Sequence, residues 1–158
     1  MVSSGISGDG FIVVADGTSR WGRFGAAGIL ARHTDADGAV SFFLARRSEY
    51  CHRGGTWAIP GGARNHGEEA LDAALREFRE EIGAILDEDG YEVAHIHEDD
   101  HGGWSYTTIV LDVSEQFPPP TTFNWETAEA RWVAAHELHE LELFDAFEAT
   151  LGLLGFLN

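Results

Sequence analysis

Cysteine is almost absent from this sequence: Cys51 is the only one in 158 residues, so no intrachain disulfide can form. That suits a reducing compartment, and a cytoplasmic location is the expectation. Positive charge is also scarce. Ten Lys and Arg stand against 27 Asp and Glu, for a formal charge of -17 at pH 7. So acidic a surface repels phosphate backbones and argues against nucleic-acid binding through a basic groove. Small phosphorylated substrates remain admissible wherever divalent cations neutralise the carboxylates. No apolar run approaches the ~18 residues that span a bilayer. Met1–Gly10 lacks the basic and apolar segments of a signal peptide, so no membrane association is expected. With no repeat and no linker, and with 44% hydrophobic and 23% charged residues, the chain reads as one globular domain over residues 1–158.

Hydrophobic patterning predicts strands at Phe11–Ala15, Ala26–Ala31 and Ala39–Ala45. The last two form a hairpin around the turn-rich stretch His33–Gly38. Arg46–Gly62, rich in glycine and aromatics and carrying Pro60, reads as mostly loop. Further strands are expected at Tyr91–His97, Tyr106–Val113 and Ala130–Ala134, and helices at Ala135–Leu141 and Phe144–Leu154. Phe117–Thr122 holds three consecutive prolines and must be a rigid loop. The clearest helix is Glu68–Ile82, where Leu71, Leu75, Phe78 and Ile82 make one narrow apolar stripe and Gly83 suits the C-terminal cap.

That helix carries an arrangement with little structural rationale. Glu77 lies three and four residues from Glu80 and Glu81, so the carboxylates are neighbours that repel. They also sit at the helix end that favours cations. A solvated acidic face is the plain alternative in so acidic a chain. Two features weigh against it: the cluster flanks the apolar stripe, and it follows Gly61-Gly62, where backbone can approach a ligand closely. Three carboxylates with nearby carbonyl oxygens are hard ligands suited to magnesium or manganese.

Gly62, Glu68 and the run Arg76-Glu77-Phe78-Arg79-Glu80-Glu81-Ile82-Gly83-Ala84 resemble the Nudix signature G-x5-E-x7-R-E-U-x-E-E-x-G-U, in which U is a bulky apolar residue. Every fixed letter is matched; Ala84 is small for the last apolar slot. Trp57, Pro60 and Gly61 resemble the family's lead-in, and Ala130–Leu138 its late strand and following helix. Many relatives carry Glu where this chain has Asn65. The resemblance implies an α/β Nudix fold, a mixed β-sheet sandwiched between α-helices. It implies that Glu77, Glu80 and Glu81, with the carbonyl of Gly61, ligate Mg2+ or Mn2+. Arg76 and Glu68 would orient them. The implied chemistry is hydrolysis of a diphosphate linkage in a nucleoside triphosphate, dinucleotide or nucleotide sugar. Glu77 and Glu80 are candidates for the general base within the helix, and Glu126 is a candidate late ligand or base with Glu129 as its competitor. A catalytically inactive nucleotide sensor or protein-binding module, and an acidic metal-binding protein without chemistry, are the alternatives.

Other residues are weaker candidates. Arg46, Arg47 and Arg53 are placed to contact phosphates, and Trp57, Tyr106, Tyr50 and Trp104 to stack on a base, with core or surface packing as the plain alternative for each. The stretch His95–His101 puts His95 and His97 on one strand face, but without a second cluster a loop lining the site is favoured over a zinc site. Cys51 and His52 are adjacent and point apart on an extended chain, which argues against a nucleophile pair. The expected partner is a small nucleotide substrate, and homodimerisation stays open.

Overall fold

The structure is a computed structural model and describes residues 6–84 and 86–157. Its centre is a seven-stranded mixed sheet built from β3 (Ala26–Thr34), β4 (Val40–Arg47), β5 (Trp57–Ala58), β6 (Gly61–Ala63), β7 (Tyr91–Asp100), β8 (Ser105–Val113) and β9 (Thr127–Ala134). The strands run in the order β5-β4-β3-β8-β7, with β6 also paired to β3 and β9 to β4. β3 and β8 are parallel, from Ala26 opposite Tyr106 to Arg32 opposite Asp112; the other pairs are antiparallel. A separate ribbon pairs β1 (Phe11–Val13) with β2 (Ser19–Trp21).

Side chains alternate across a strand, and here both faces are covered. Ala27, Ile29 and Ala31 of β3, Phe43 and Ala45 of β4, and Ile109, Leu111 and Val113 of β8 pack with Ala73, Ala74, Phe78 and Ile82 of helix α1 (Ala70–Ile82). Leu30, Phe42, Leu44 and Val110 point the other way. They meet Leu138 of a 3-10 segment (Ala135–Glu140) and Phe147 and Leu151 of helix α2 (Asp145–Leu153). The expected α/β sandwich is therefore present, and Phe43 sits at the centre of its first layer. It has no solvent exposure and contacts the rings of Phe78, Phe117 and Trp132. Phe43→Ala is expected to cost about 3–5 kcal/mol, measured by urea unfolding, because those rings cannot collapse into the space.

Several elements differ from the sequence reading. Arg46–Gly62 is not all loop: β5 pairs with β4, and β6 begins at Gly61. These strands are two and three residues long, too short to show alternation, and only their partners define them. The same applies to β2, which was not expected. The first strand stops at Val13, and α1 begins at Ala70. The expected helix at 135–141 is a 3-10 segment closed by Leu141 N–H donating to the Leu138 carbonyl at 3.2 Å. Gly83 does end α1: it is left-handed (φ 77°) and donates its N–H to the Arg79 carbonyl.

Candidate active site

The site is set by how closely β6 approaches α1. A Cβ added to Gly62 would lie 2.5 Å from Cδ of Glu77, and one added to Gly61 would lie 2.6 Å from the carbonyl oxygen of Ala27. Only glycine permits this double approach, strand on one side and helix carboxylate on the other. On α1, Ala73 and Ala74 occupy the tightest contact with the sheet, while the expected stripe residues Leu71 and Leu75 are partly buried beside them. The turn that buries Phe78 and Ile82 therefore leaves Glu77 and Glu81 on the flank facing β6, with Glu80 further out.

Arg76 is the hub of the charges. Its Nε and Nη2 donate to the two carboxylate oxygens of Glu68 at 3.0 and 2.9 Å, Nη1 donates to Glu77 at 3.0 Å, and Nη2 also donates to the Ala63 carbonyl at 2.9 Å. Glu80 stands 3.6 Å away and is more than half exposed. The Arg76 hydrogen bonds hold the Glu68 carboxyl below its ordinary range, and Glu68 in turn raises Arg76. Glu77 is raised, chiefly by burial; Arg76 partly offsets this, while Glu80 and Asp9 add repulsion. Glu81 is pushed up to about 8 by burial first, then by the charges of Glu77 and Glu126, against smaller opposing effects from the Gly61 backbone and Arg47. The local arginines do not balance these carboxylates, and hard oxygen donors in charge excess suit a divalent cation. Among the described residues, no three His, Cys, Asp or Glu side chains converge on one point.

The other expected residues divide into two groups. Glu126 and Arg47 are close enough for their charges to be felt at Glu81, and the Tyr106 hydroxyl lies beneath the backbone of Gly28 and Gly61. Burial, then the Glu81 charge, raises the Tyr106 phenol. Arg46, Glu129 and Trp57 are differently occupied. Arg46 pairs with Glu129 at 3.5 Å, Glu129 also meets Arg131 at 3.3 Å, and the Arg131 guanidinium covers the ring of Trp57, which is only 6% exposed. Arg46 and Arg47 are successive residues of β4 and so point to opposite faces of the sheet; the irregularity beside them is on β9, where Ala128 is skipped in the pairing. The strand expected at Tyr91–His97 is present but runs on to Asp100 as the sheet's edge strand, so most of the stretch His95–His101 is strand rather than a loop lining the site. His95 and His97 share a face opposite Val110 and Thr108, and His101 pairs with Asp99 at 2.8 Å. Asn65 accepts the Gly8 N–H on its side chain and donates its own N–H to Glu68 at 3.0 Å.

A model of the NUDIX domain family matches residues 23–151, and the match contains the whole carboxylate helix and its glycine strap. This chain belongs to the Nudix family. A Mycobacterium tuberculosis protein provisionally named 8-oxo-dGTP diphosphatase 3 is 41% identical over 149 residues, which are 90% of this chain and 67% of that one. The crystal structure of RenU, a Nudix hydrolase from M. smegmatis, is 38% identical and superposes with a TM-score of 0.78, covering 93% of this chain and 92% of that one. A C. elegans Ap4A hydrolase shares the fold alone, at 16% identity and a TM-score of 0.63 over 82% of this chain and 95% of that one. The chain is thus a Nudix pyrophosphohydrolase, of a family that generally uses divalent metals and whose members act on small nucleotides. No helix among the described residues is long and apolar enough to cross a membrane.

Sequence reasoning missed three parts of this Nudix site. Asp9 adds charge to Glu77, the Ala63 carbonyl receives Arg76, and Asn65 N–H supports Glu68. A backbone carbonyl or N–H carries no residue signal, and Asp9 is far from Glu77 in sequence. The opposite shifts of Glu81 and Glu68 also predict a pH response. The folded form keeps the Glu81 proton up to about 8, whereas the unfolded chain releases it near the ordinary 4.5. Folded protein therefore binds more protons within that window, and metal-free stability drains away as pH rises through it. Glu68 has the opposite sign: its lowered value stabilises the fold above 4.5, and that contribution is lost on acidification. Thermal unfolding of chelator-treated protein at pH 5 and pH 8.5 is expected to show the lower Tm at pH 8.5, with saturating magnesium narrowing the gap.

Proposed function

We propose that this chain hydrolyses the diphosphate linkage of a nucleoside diphosphate joined to a further group, with a nucleoside triphosphate as the favoured substrate and magnesium or manganese as the cofactor. One observation carries the reading: three carboxylates on one flank of α1, two of them raised by burial and repulsion, under a glycine strap and beside a clamped arginine. The triphosphate preference draws on the name of the M. tuberculosis relative. A dinucleotide or nucleotide sugar remains an outcome of the test.

In this reading Glu77, Glu80 and Glu81, with the carbonyl of Gly61, would hold a divalent cation. Bound there, it would supply Lewis-acid charge and favour ionisation of a water. Arg76 holds Glu77 in one orientation through a fixed fork, and Glu68 locks Arg76 from the other side. Glu126 takes the proton of the attacking water. Its exposure and its proximity to Glu81 support it over Glu129, whose carboxylate already meets Arg46 and Arg131. Arg47, whose charge is felt at Glu81, donates its Nε to the His52 carbonyl at 2.8 Å and lays its guanidinium over the Phe144 ring. Among the described residues it faces no carboxylate partner of its own as Arg46 does, and it is the phosphate contact favoured of the two.

A panel of nucleoside triphosphates including 8-oxo-dGTP, a dinucleotide polyphosphate and a nucleotide sugar, assayed with Mg2+ or Mn2+ for released phosphate and pyrophosphate, tests this directly. Release of pyrophosphate from a triphosphate is the expected result. No turnover with any member, alongside measurable nucleotide binding, would point to the sensor reading.

A further inference from the structure

Residues 114–126 join β8 to β9 with no strand or helix of their own. Their first part is anchored by Phe117, packed among Phe43, Phe78 and Trp132, with Trp132 Nε1 donating to the Phe117 carbonyl at 2.9 Å. The last part, which carries Glu126, is held from elsewhere. Ser48 directly follows the end of β4 at Arg47 and is 7% exposed. Its N–H donates to the Glu126 carbonyl at 2.9 Å, and its Oγ donates to the Trp125 carbonyl at 2.6 Å. Asn124 Oδ1 accepts the Glu126 N–H at 3.0 Å, and Cys51 Sγ makes a longer contact of 3.5 Å to the Glu126 carbonyl.

Both peptide groups of Glu126 are thus fixed while its side chain stays exposed and acts electrostatically on Glu81. Trp125 is itself 67% exposed, so water could reach a loosened turn and satisfy its carbonyl. What water cannot supply is a fixed position. The Ser48 hydroxyl ties an irregular connection to the end of an ordered strand at the point where the carboxylate leaves it.

We infer that Ser48 is a positioning residue: its hydroxyl fixes the backbone at Trp125 and thereby the point from which the Glu126 carboxylate reaches the site. The inference rests on the reading that Glu126 takes part in hydrolysis. The test is a cycle of Ser48→Ala, Glu126→Gln and the double variant, with Ser48→Thr as the rescue, assayed at saturating Mg2+ on the substrate turned over best in the panel. Ser48→Ala is expected to lower kcat roughly 10- to 50-fold with KM changed less than about 3-fold, the scale of a catalytic group held slightly out of place. Ser48→Thr, which keeps the hydroxyl, is expected to recover most of kcat. In the Glu126→Gln background Ser48→Ala is expected to cost less than about 2-fold more, because the two act through one group.

Circular dichroism sets an assay temperature at which every variant is folded, and Ser48→Gly removes the same hydroxyl if Ser48→Ala does not fold. Full loss in the Glu126→Gln background would show a merely structural contact and overturn the inference. So would kcat at the wild-type level in Ser48→Ala, no recovery in Ser48→Thr, or wild-type kcat in Glu126→Gln. The last result leaves the hydrolase reading standing, since that depends on turnover by the unmodified protein and on Glu80.

Discussion

Glu80→Gln is expected to lower kcat at least ~100-fold, the scale of removing a main electrostatic contributor to a transition state. Its thermal unfolding should stay within about 0.5 kcal/mol of wild type, as for an exposed surface change. The separation of the two effects is the point. Glu80 is 59% exposed and makes one long contact to Arg76, so the fold asks little of it. An amide matches its size but carries no charge to hold a divalent ion. Steady-state kinetics across a magnesium titration, with calorimetric melting in parallel, measures both. Unchanged turnover in the variant would remove Glu80 from the proposed ligand set.

Arg76→Met is expected to act the other way round, costing about 2–4 kcal/mol of stability, less than the full penalty for breaking a wholly buried pair. That corresponds to a drop of roughly 5–15 °C in Tm for a domain of this size. Glu68 and Glu77 are 15% and 16% exposed, and each directs a carboxylate at this guanidinium. Without it they keep their partial burial and lose their partner. Methionine preserves most of the packing volume, so the loss reports on charge. Adding Glu68→Gln should restore part of the stability, since removing both partners is cheaper than orphaning one. Additive losses in the double variant would show that Arg76 acts mainly through packing or the Ala63 carbonyl. Turnover should also fall in Arg76→Met, because Glu77 loses the donor that fixes its rotamer.

Much of this was legible in the amino-acid order because the signal is local. The Gly62-to-Ala84 spacing, the three carboxylates and the left-handed Gly83 all lie on one helix and its two ends, where separations of three and four residues translate directly into neighbourhood. The long strands β3, β4 and β8 showed themselves as apolar runs because both of their faces are covered. β2, β5 and β6 did not, since strands of two or three residues take their identity from a partner. The candidate ligands were readable, but their surroundings were not. Arg46 and Arg47 look equivalent in the chain; alternation along β4 sends them to opposite faces, but only the folded partners show that Arg46 meets Glu129 while Arg47 lies against the His52 carbonyl and the Phe144 ring, with its charge felt at Glu81.

The sequence by itself determined which groups could do the chemistry, since helical periodicity fixes Glu77, Glu80 and Glu81 relative to one another whatever surrounds the helix. Only the tertiary structure decided how charged and how crowded they are. Burial against β6, the approach of Asp9 and Glu126 from distant segments, and the grip of Ser48 on the Trp125–Glu126 backbone are contacts between parts of the chain that no local pattern links. The physical reason is that electrostatic energies depend on distance and solvent exclusion, and the folded packing sets both.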